Sequence, residues 1–325
     1  MIKHALGRLI LVAMVTSALA LVAAAPAAAQ APAVGTSASD VDLSSVPGAG
    51  SYGLGHAIPL AGERPDWYTA ELHQRVLAAE GEPLQAPPDA PLPGTVGIRP
   101  GSWMISPAGC TMNFVFANGS RLGIGTAGHC AEQGDNVVLL TLALAGDPVL
   151  VDIGSVIASR DNGIGDDFAL VEIRPELHEW VSPTIGLVGG PCGRYTGSGP
   201  ETVAHYGHGI GIGTGGTPRA GVALHWESDA YGWVGAGIFG DSGSPVRVTD
   251  LSAAGNLTHL VVDPNWLPNY IAGTRIARME QIAGSWALAN SSLCPGGTSS
   301  ETEGGTGAKG NNGKGGGKGN GRDKG

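Results

Sequence analysis

Charged side chains are scarce, at 14% of the 325 residues, and the balance is acidic, with a net charge of −10. Such a chain lacks the basic excess that nucleic-acid binding favours, so no nucleic-acid partner is expected. Long apolar runs are also lacking, apart from one near the start, so no stable membrane insertion is expected. There are only four cysteines, and no unit repeats except a Gly/Lys-rich pattern at the end. His205-x-x-His208 has metal-like spacing but lies in a Gly-rich stretch without further ligands. No metal and no cofactor are expected.

Glycine, in contrast, is abundant, at 55 residues. Many short runs of Val, Ile and Thr are broken by Gly or Pro, which predicts a β-rich fold. The start reads as a secretory signal over 1–29. Lys3 and Arg8 supply the charged end, 9–24 the apolar run and Ala27-Ala28-Ala29 a small-residue cleavage site. An extracellular protein is therefore expected. In an oxidising compartment four cysteines make two disulfides, with three pairings open.

Residues 30–96 are acidic and Pro-rich. They read as a propeptide or as a solvated arm, with one helix predicted from Asp66 as cap to Gly81 as stop. A Pro-rich linker follows, and cleavage is expected between about 85 and 105, from the linker composition. Residues 295–325 carry almost no apolar side chains and cannot bury enough surface to fold.

The chemistry is concentrated in Gly240-Asp241-Ser242-Gly243-Ser244-Pro245. A serine hydroxyl needs a positioned base and a site for the developing oxyanion. Glycines around Ser242 let the backbone turn tightly and bring its N–H groups to a carbonyl. Upstream, Thr126-Ala127-Gly128-His129-Cys130 offers the base. Asp166-Asp167-Phe168-Ala169-Leu170-Val171 offers a carboxylate entering an apolar strand. Strand alternation puts Asp166 and Asp167 on opposite faces, so only one can reach the histidine.

The order His, Asp, Ser and these three motifs resemble the chymotrypsin-like (trypsin-fold) serine proteases, especially secreted bacterial ones, over roughly 100–290. Two positions depart from the family pattern: Gly128 stands for an alanine and Ser244 for a glycine. The resemblance implies an all-β fold of two six-stranded antiparallel β-barrels packed together, with a C-terminal helix, spanning 97–294. The first barrel takes strands at 113–116, 121–125, 137–144, 149–157 and 168–173. The second takes 202–206, 220–226, 243–248, 257–262 and 270–274, and the helix 276–289.

The resemblance also implies roles. His129 is the base, Asp167 the orienting carboxylate and Ser242 the nucleophile; Gly240 and Ser242 supply the oxyanion hole. Cys110 pairs with Cys130, and Cys192 with Cys294. The first bridge contributes about 3 kcal/mol by the loop-entropy model. Asp241 needs a buried partner, either a new N-terminus or an internal cation. Asp152 and Asp161 are expected in solvent. Ala236 is placed at the pocket floor, where no carboxylate awaits Arg or Lys, so cleavage after apolar residues is expected. His259 is expected on the surface; the alternative is a pocket histidine that would favour Glu. Asn118, Asn256 and Asn290 begin glycosylation sequons. The activity implied is a secreted, monomeric serine endopeptidase acting on protein or peptide substrates. The rival is an idle trypsin-fold binding or adhesion protein, which usually lacks one of the three residues present here.

Overall fold

The computed structural model describes residues 39–41, 55–209, 216–263 and 268–294. The expected signal segment and tail lie outside the described residues. The fold is all-β, and its strands in chain order are β1 (Ser39–Val41), β2 (Gly55–Pro59), β3 (Leu84–Gln85), β4 (Trp103–Ser106), β5 (Cys110–Thr111), β6 (Val115–Asn118), β7 (Arg121–Thr126), β8 (Asn136–Leu142), β9 (Pro148–Asp161), β10 (Asp167–Ile173), β11 (Glu201–Gly207), β12 (Thr217–Trp226), β13 (Ala230–Gly235), β14 (Pro245–Val248), β15 (Ala253–Asn256), β16 (His259–Val262), β17 (Pro268–Thr274) and β18 (Ala287–Leu288).

Two antiparallel sheets form the two-barrel architecture. One runs β18-β6-β7-β10-β9-β8-β4-β5, with β3 on β9; the other runs β1-β2-β16-β17-β13-β12-β11-β14-β15. Among the described residues each has nine strands rather than six. Part of the surplus comes from outside the expected barrel strands: β1, β2 and β3 from the N-terminal extension and β18 from beyond the C-terminal helix.

Local chemistry explains the elements. Asn118-Gly119 closes the β6–β7 hairpin, with Asn118 opposite Arg121 and Gly119 at φ 62°. Helix α1 (Ala70–Ala78) is capped by Thr69, whose hydroxyl accepts from the Leu72 N–H at 3.2 Å, and not by Asp66 as expected. Helix α2 (Ile276–Ala283) stops earlier than predicted because Gly284 takes φ 70°. The chain then turns back, and β18 pairs with β6.

The first barrel buries Met104, Val115, Ile124, Leu139 and Val171, with Cys110 and Cys130 joined among them. The second buries Val203, Trp233, Val246, Leu257 and Ile271. Phe114, Phe116 and Phe168 of the first barrel share a cluster with Ala253 of the second and Met279 and Trp286 of the C-terminal end. That shared core fixes the two halves against each other. The Cys192–Cys294 bridge fastens the inter-barrel segment to the end of the described chain.

The extension is not a solvated arm over its described length. Tyr68 and Val76 are buried against Trp103, Ile105, Leu140 and Leu150 on the outside of the first barrel. Burying such side chains contributes roughly 1.5–3 kcal/mol each. Strand β2 adds to the edge of the second sheet beside β16. Among the described residues no helix is long and apolar enough to cross a membrane.

Candidate active site

His129 lies on a 3-10 turn (Gly128–Cys130) that follows β7. Gly128 is needed there: a Cβ would collide with the Arg160 carbonyl oxygen. Asp167 opens β10 and is fully buried. Ser242 lies in the turn before β14, where Gly240 at φ 99° lets the loop bend. The three residues come from both barrels and meet in the cleft between them.

The Asp167 Oδ2 is 2.6 Å from His129 Nδ1, and His129 Nε2 is 2.7 Å from Ser242 Oγ. Asp167 Oδ1 accepts from the backbone N–H groups of Gly128 at 2.5 Å and His129 at 3.2 Å. With a proton kept on Nδ1 by the carboxylate, Nε2 is left as the acceptor for the serine hydroxyl. Burial disfavours the charged imidazole, but the charge and hydrogen bond of Asp167 outweigh it and hold the His129 pKa above its ordinary value. Burial likewise opposes ionisation of Asp167, yet His129 brings its pKa below the ordinary carboxylate value.

Asp167 is fixed through its backbone too. Its N–H donates to Thr274 Oγ1 at 3.1 Å, and its carbonyl accepts from Asn256 Nδ2 at 3.1 Å. Asn256 is therefore buried and engaged, which removes it as a glycosylation acceptor. Asp166 points the other way, to Arg278 at 2.8 Å and Arg160 at 3.5 Å.

Several other residues fall differently from expectation. His259 is buried, not on the surface. Its Nδ1 lies 3.7 Å from Asp167 Oδ2, and its ring meets that of His129 edge-on at 5.5 Å. Burial lowers its pKa to about 4, helped by His129 and opposed by Asp167. One carboxylate thus faces two imidazoles: His129 Nδ1 bonds it at 2.6 Å, while His259 Nδ1 pairs with Thr258 Oγ1 at 2.9 Å. Asp152 is also buried, not solvated, and pairs with Arg174 at 2.6 Å; Asp161 is exposed. Donor atoms of His129, Asp167 and His259 lie within 4.8 Å of one another, a spacing compatible with a metal ion, but Nδ1 of His129 is committed to Asp167. His205 is buried and its Nε2 bonds the Ala236 carbonyl at 2.9 Å; His208 stacks on Trp103.

The turn that carries Ser242 has an internal counter-ion. Asp241 Oδ2 pairs with Arg219 of β12 and accepts from the Ile238 N–H at 2.9 Å, while Oδ1 accepts from Gly209 N–H at 2.8 Å. Sequence reasoning left this partner open between a new N-terminus and a cation. Both side chains are essentially buried. Arg219→Met strands the carboxylate and is expected to cost about 3–5 kcal/mol. Urea unfolding measures this, and adding Asp241→Asn should restore most of the loss; a stable Arg219→Met single variant counts against the role.

A backbone oxygen already sits on two N–H groups of the Ser242 turn. The N–H groups of Gly240 and Ser242 both donate to the Leu60 carbonyl, at 2.6 Å and 3.3 Å. Leu60 is buried in the apolar cluster with Trp233, Leu257 and Ile271, and a Cβ on Gly237 would meet its Cδ1 at 3.3 Å. Ala236, one residue earlier, is exposed.

The fold is two antiparallel barrels, and the site is a buried carboxylate–imidazole–hydroxyl relay with two converging N–H donors. No protein-family model and no curated protein matches the chain. Among solved structures it is similar to Protease A of Thermobifida fusca, at 21% identity over 60% of this chain and 97% of that one, with a TM-score of 0.43. A glutamic-acid-specific serine protease described as using a histidine triad in substrate binding shows 13% identity over 59% of this chain and 100% of its own, with a TM-score of 0.44. A Glu endopeptidase shows 15% identity over 62% and 94%, with a TM-score of 0.39.

Proposed function

We propose that the chain is a secreted serine endopeptidase that cleaves protein or peptide substrates through an acyl-enzyme. The observation that carries this reading is the continuous relay from Asp167 through His129 to Ser242, with spacings of 2.6 Å and 2.7 Å. Ser242 Oγ attacks the carbonyl carbon while His129 Nε2 takes its proton. The Gly240 and Ser242 N–H groups receive the oxyanion, a contribution of roughly 3–4 kcal/mol per donor in related chemistry. His129 then hands the proton to the leaving amine, and water repeats the sequence to release the acid. Secretion is supported by the signal-like start and the two disulfides. The catalytic unit is taken as 97–294, acting as a monomer.

An idle binding protein would have no need of this relay. A fluorophosphonate probe separates the two readings. Wild type is expected to label in whichever chain form presents a free Ser242, and Ser242→Ala is expected to stay unlabelled. Equal labelling of both, or of neither in any form, overturns the assignment.

A further inference from the structure

The contacts of Leu60 extend along the chain on both sides of its carbonyl. Its N–H donates to the Thr258 carbonyl at 3.0 Å. Preceding residues form β2, antiparallel to β16, with Pro59 opposite His259, Ile58 opposite Leu260 and Ala57 opposite Val261. Pro59 has no N–H to offer, and the donor is supplied by Leu60. On the far side, Gly62 N–H donates to Gly109 O at 2.6 Å and Gly109 N–H to Gly62 O at 3.0 Å. The Leu60–Ala61 peptide bond is therefore clamped from both ends. Its carbonyl oxygen accepts from the N–H of Ser242 itself, the residue whose hydroxyl lies 2.7 Å from His129 Nε2. A surface arm would have no reason to place a carbonyl on two converging donors and a leucine in an apolar pocket.

The geometry points to self-processing: residues 57–62 lie in the cleft as a bound substrate, and Ser242 cleaves the Leu60–Ala61 bond. This rests on the proposed protease activity and adds the bond and the preference. Ser242 Oγ bonds to the Leu60 carbon, the bond to the Ala61 nitrogen breaks, and the serine proton passes through His129 to the Ala61 amine. Water then splits the Leu60 ester, leaving a Leu60 carboxylate and a restored serine. The holding of both ends supplies the near-attack positioning that an intramolecular reaction exploits. Until cleavage, the segment denies the cleft to other substrates. Afterwards the site takes chains with leucine or a similar apolar residue on the acyl side of the scissile bond.

This places the cut well before the 85–105 window that composition suggests. Within that window the backbone is tied to the first barrel, with Ala86 N–H on Pro148 O at 3.0 Å and Gly97 N–H on Leu142 O at 2.9 Å. Helix α1 and β3 remain with the processed protein.

The test is intact-mass analysis of the full chain expressed as wild type, Ser242→Ala, Leu60→Asp and Leu60→Met. Processed wild type should begin at Ala61, and Ser242→Ala should stay whole at that bond. Leu60→Asp should slow processing by about 100-fold or more, because a carboxylate must enter an apolar pocket. Leu60→Met, similar in volume, should process within about threefold of wild type. On chromogenic Ala-Ala-Pro-X anilides the processed protein should prefer X = Leu over Arg or Glu by about 10-fold or more. A Ser242-dependent cut elsewhere, or an uncut chain that hydrolyses these peptides, overturns the inference and leaves the protease standing. An uncut chain that neither hydrolyses them nor labels with fluorophosphonate overturns both.

Discussion

Ser242→Ala is expected to lower kcat by about 10⁶-fold, the scale found when this nucleophile is removed from another serine protease. The loss is large because the relay acts as a unit. Asp167 and His129 hold a proton acceptor 2.7 Å from one hydroxyl, and without it the base has nothing to activate. What remains is the pull of the Gly240 and Ser242 N–H groups on a bound carbonyl, which survives the substitution because both are backbone donors. Both proteins are compared in the form beginning at Ala61, the variant being expressed from that residue. Near-wild-type turnover of a folded variant would show that Ser242 is not the nucleophile.

The second large effect is on Asp167→Asn, expected to cost about 10⁴-fold in kcat. One carboxylate oxygen is held by the N–H groups of Gly128 and His129, so an amide must put its oxygen there. Its NH₂ then faces His129 Nδ1 and donates to it. That nitrogen becomes the acceptor, the ring proton moves to Nε2, and the serine loses its base. The carboxylate charge also favours the imidazolium, so its removal lowers the His129 pKa and shifts the acid limb of kcat/KM to lower pH. A kcat/KM profile against pH reads both effects, because a merely structural loss lowers activity without moving the limb. An unchanged rate with an unmoved limb would assign the role elsewhere.

The parts of this site that were legible in sequence are those built from local motifs. The stretches around His129, Asp167 and Ser242 each need particular neighbours, such as the glycines that let a turn bend or a backbone approach closely. Alternation along one strand was enough to separate Asp166 from Asp167. The strands rich in Val, Ile and Leu were equally plain, whereas Ala230–Gly235 was not, because glycine and tryptophan there hide the pattern. What remained illegible depends on register between distant segments. Arg219 reaches Asp241 only because β12 pairs with β11, placing Arg219 opposite His205. Asp152 reads as a solvent carboxylate until the fold brings Arg174 to it. His259 and Asn256 take their meaning from Asp167, which lies about 90 positions away in the chain. Leu60 was hardest to see, since its stretch reads only as part of a propeptide or solvated arm when the cleft that receives it is encoded far downstream.

The pairing of β2 with β16 has a kinetic consequence. While the chain is whole, Leu60 reaches the cleft at the high effective concentration of a tethered group, and no dilution of the sample removes it. Cutting after Leu60 opens one of its two covalent connections. The severed strand then competes as a ligand held by the backbone bonds of a single sheet edge and one buried leucine. Newly cut molecules would thus gain their activity at the rate this strand departs, and the delay between bond cleavage and full turnover would measure its residence time.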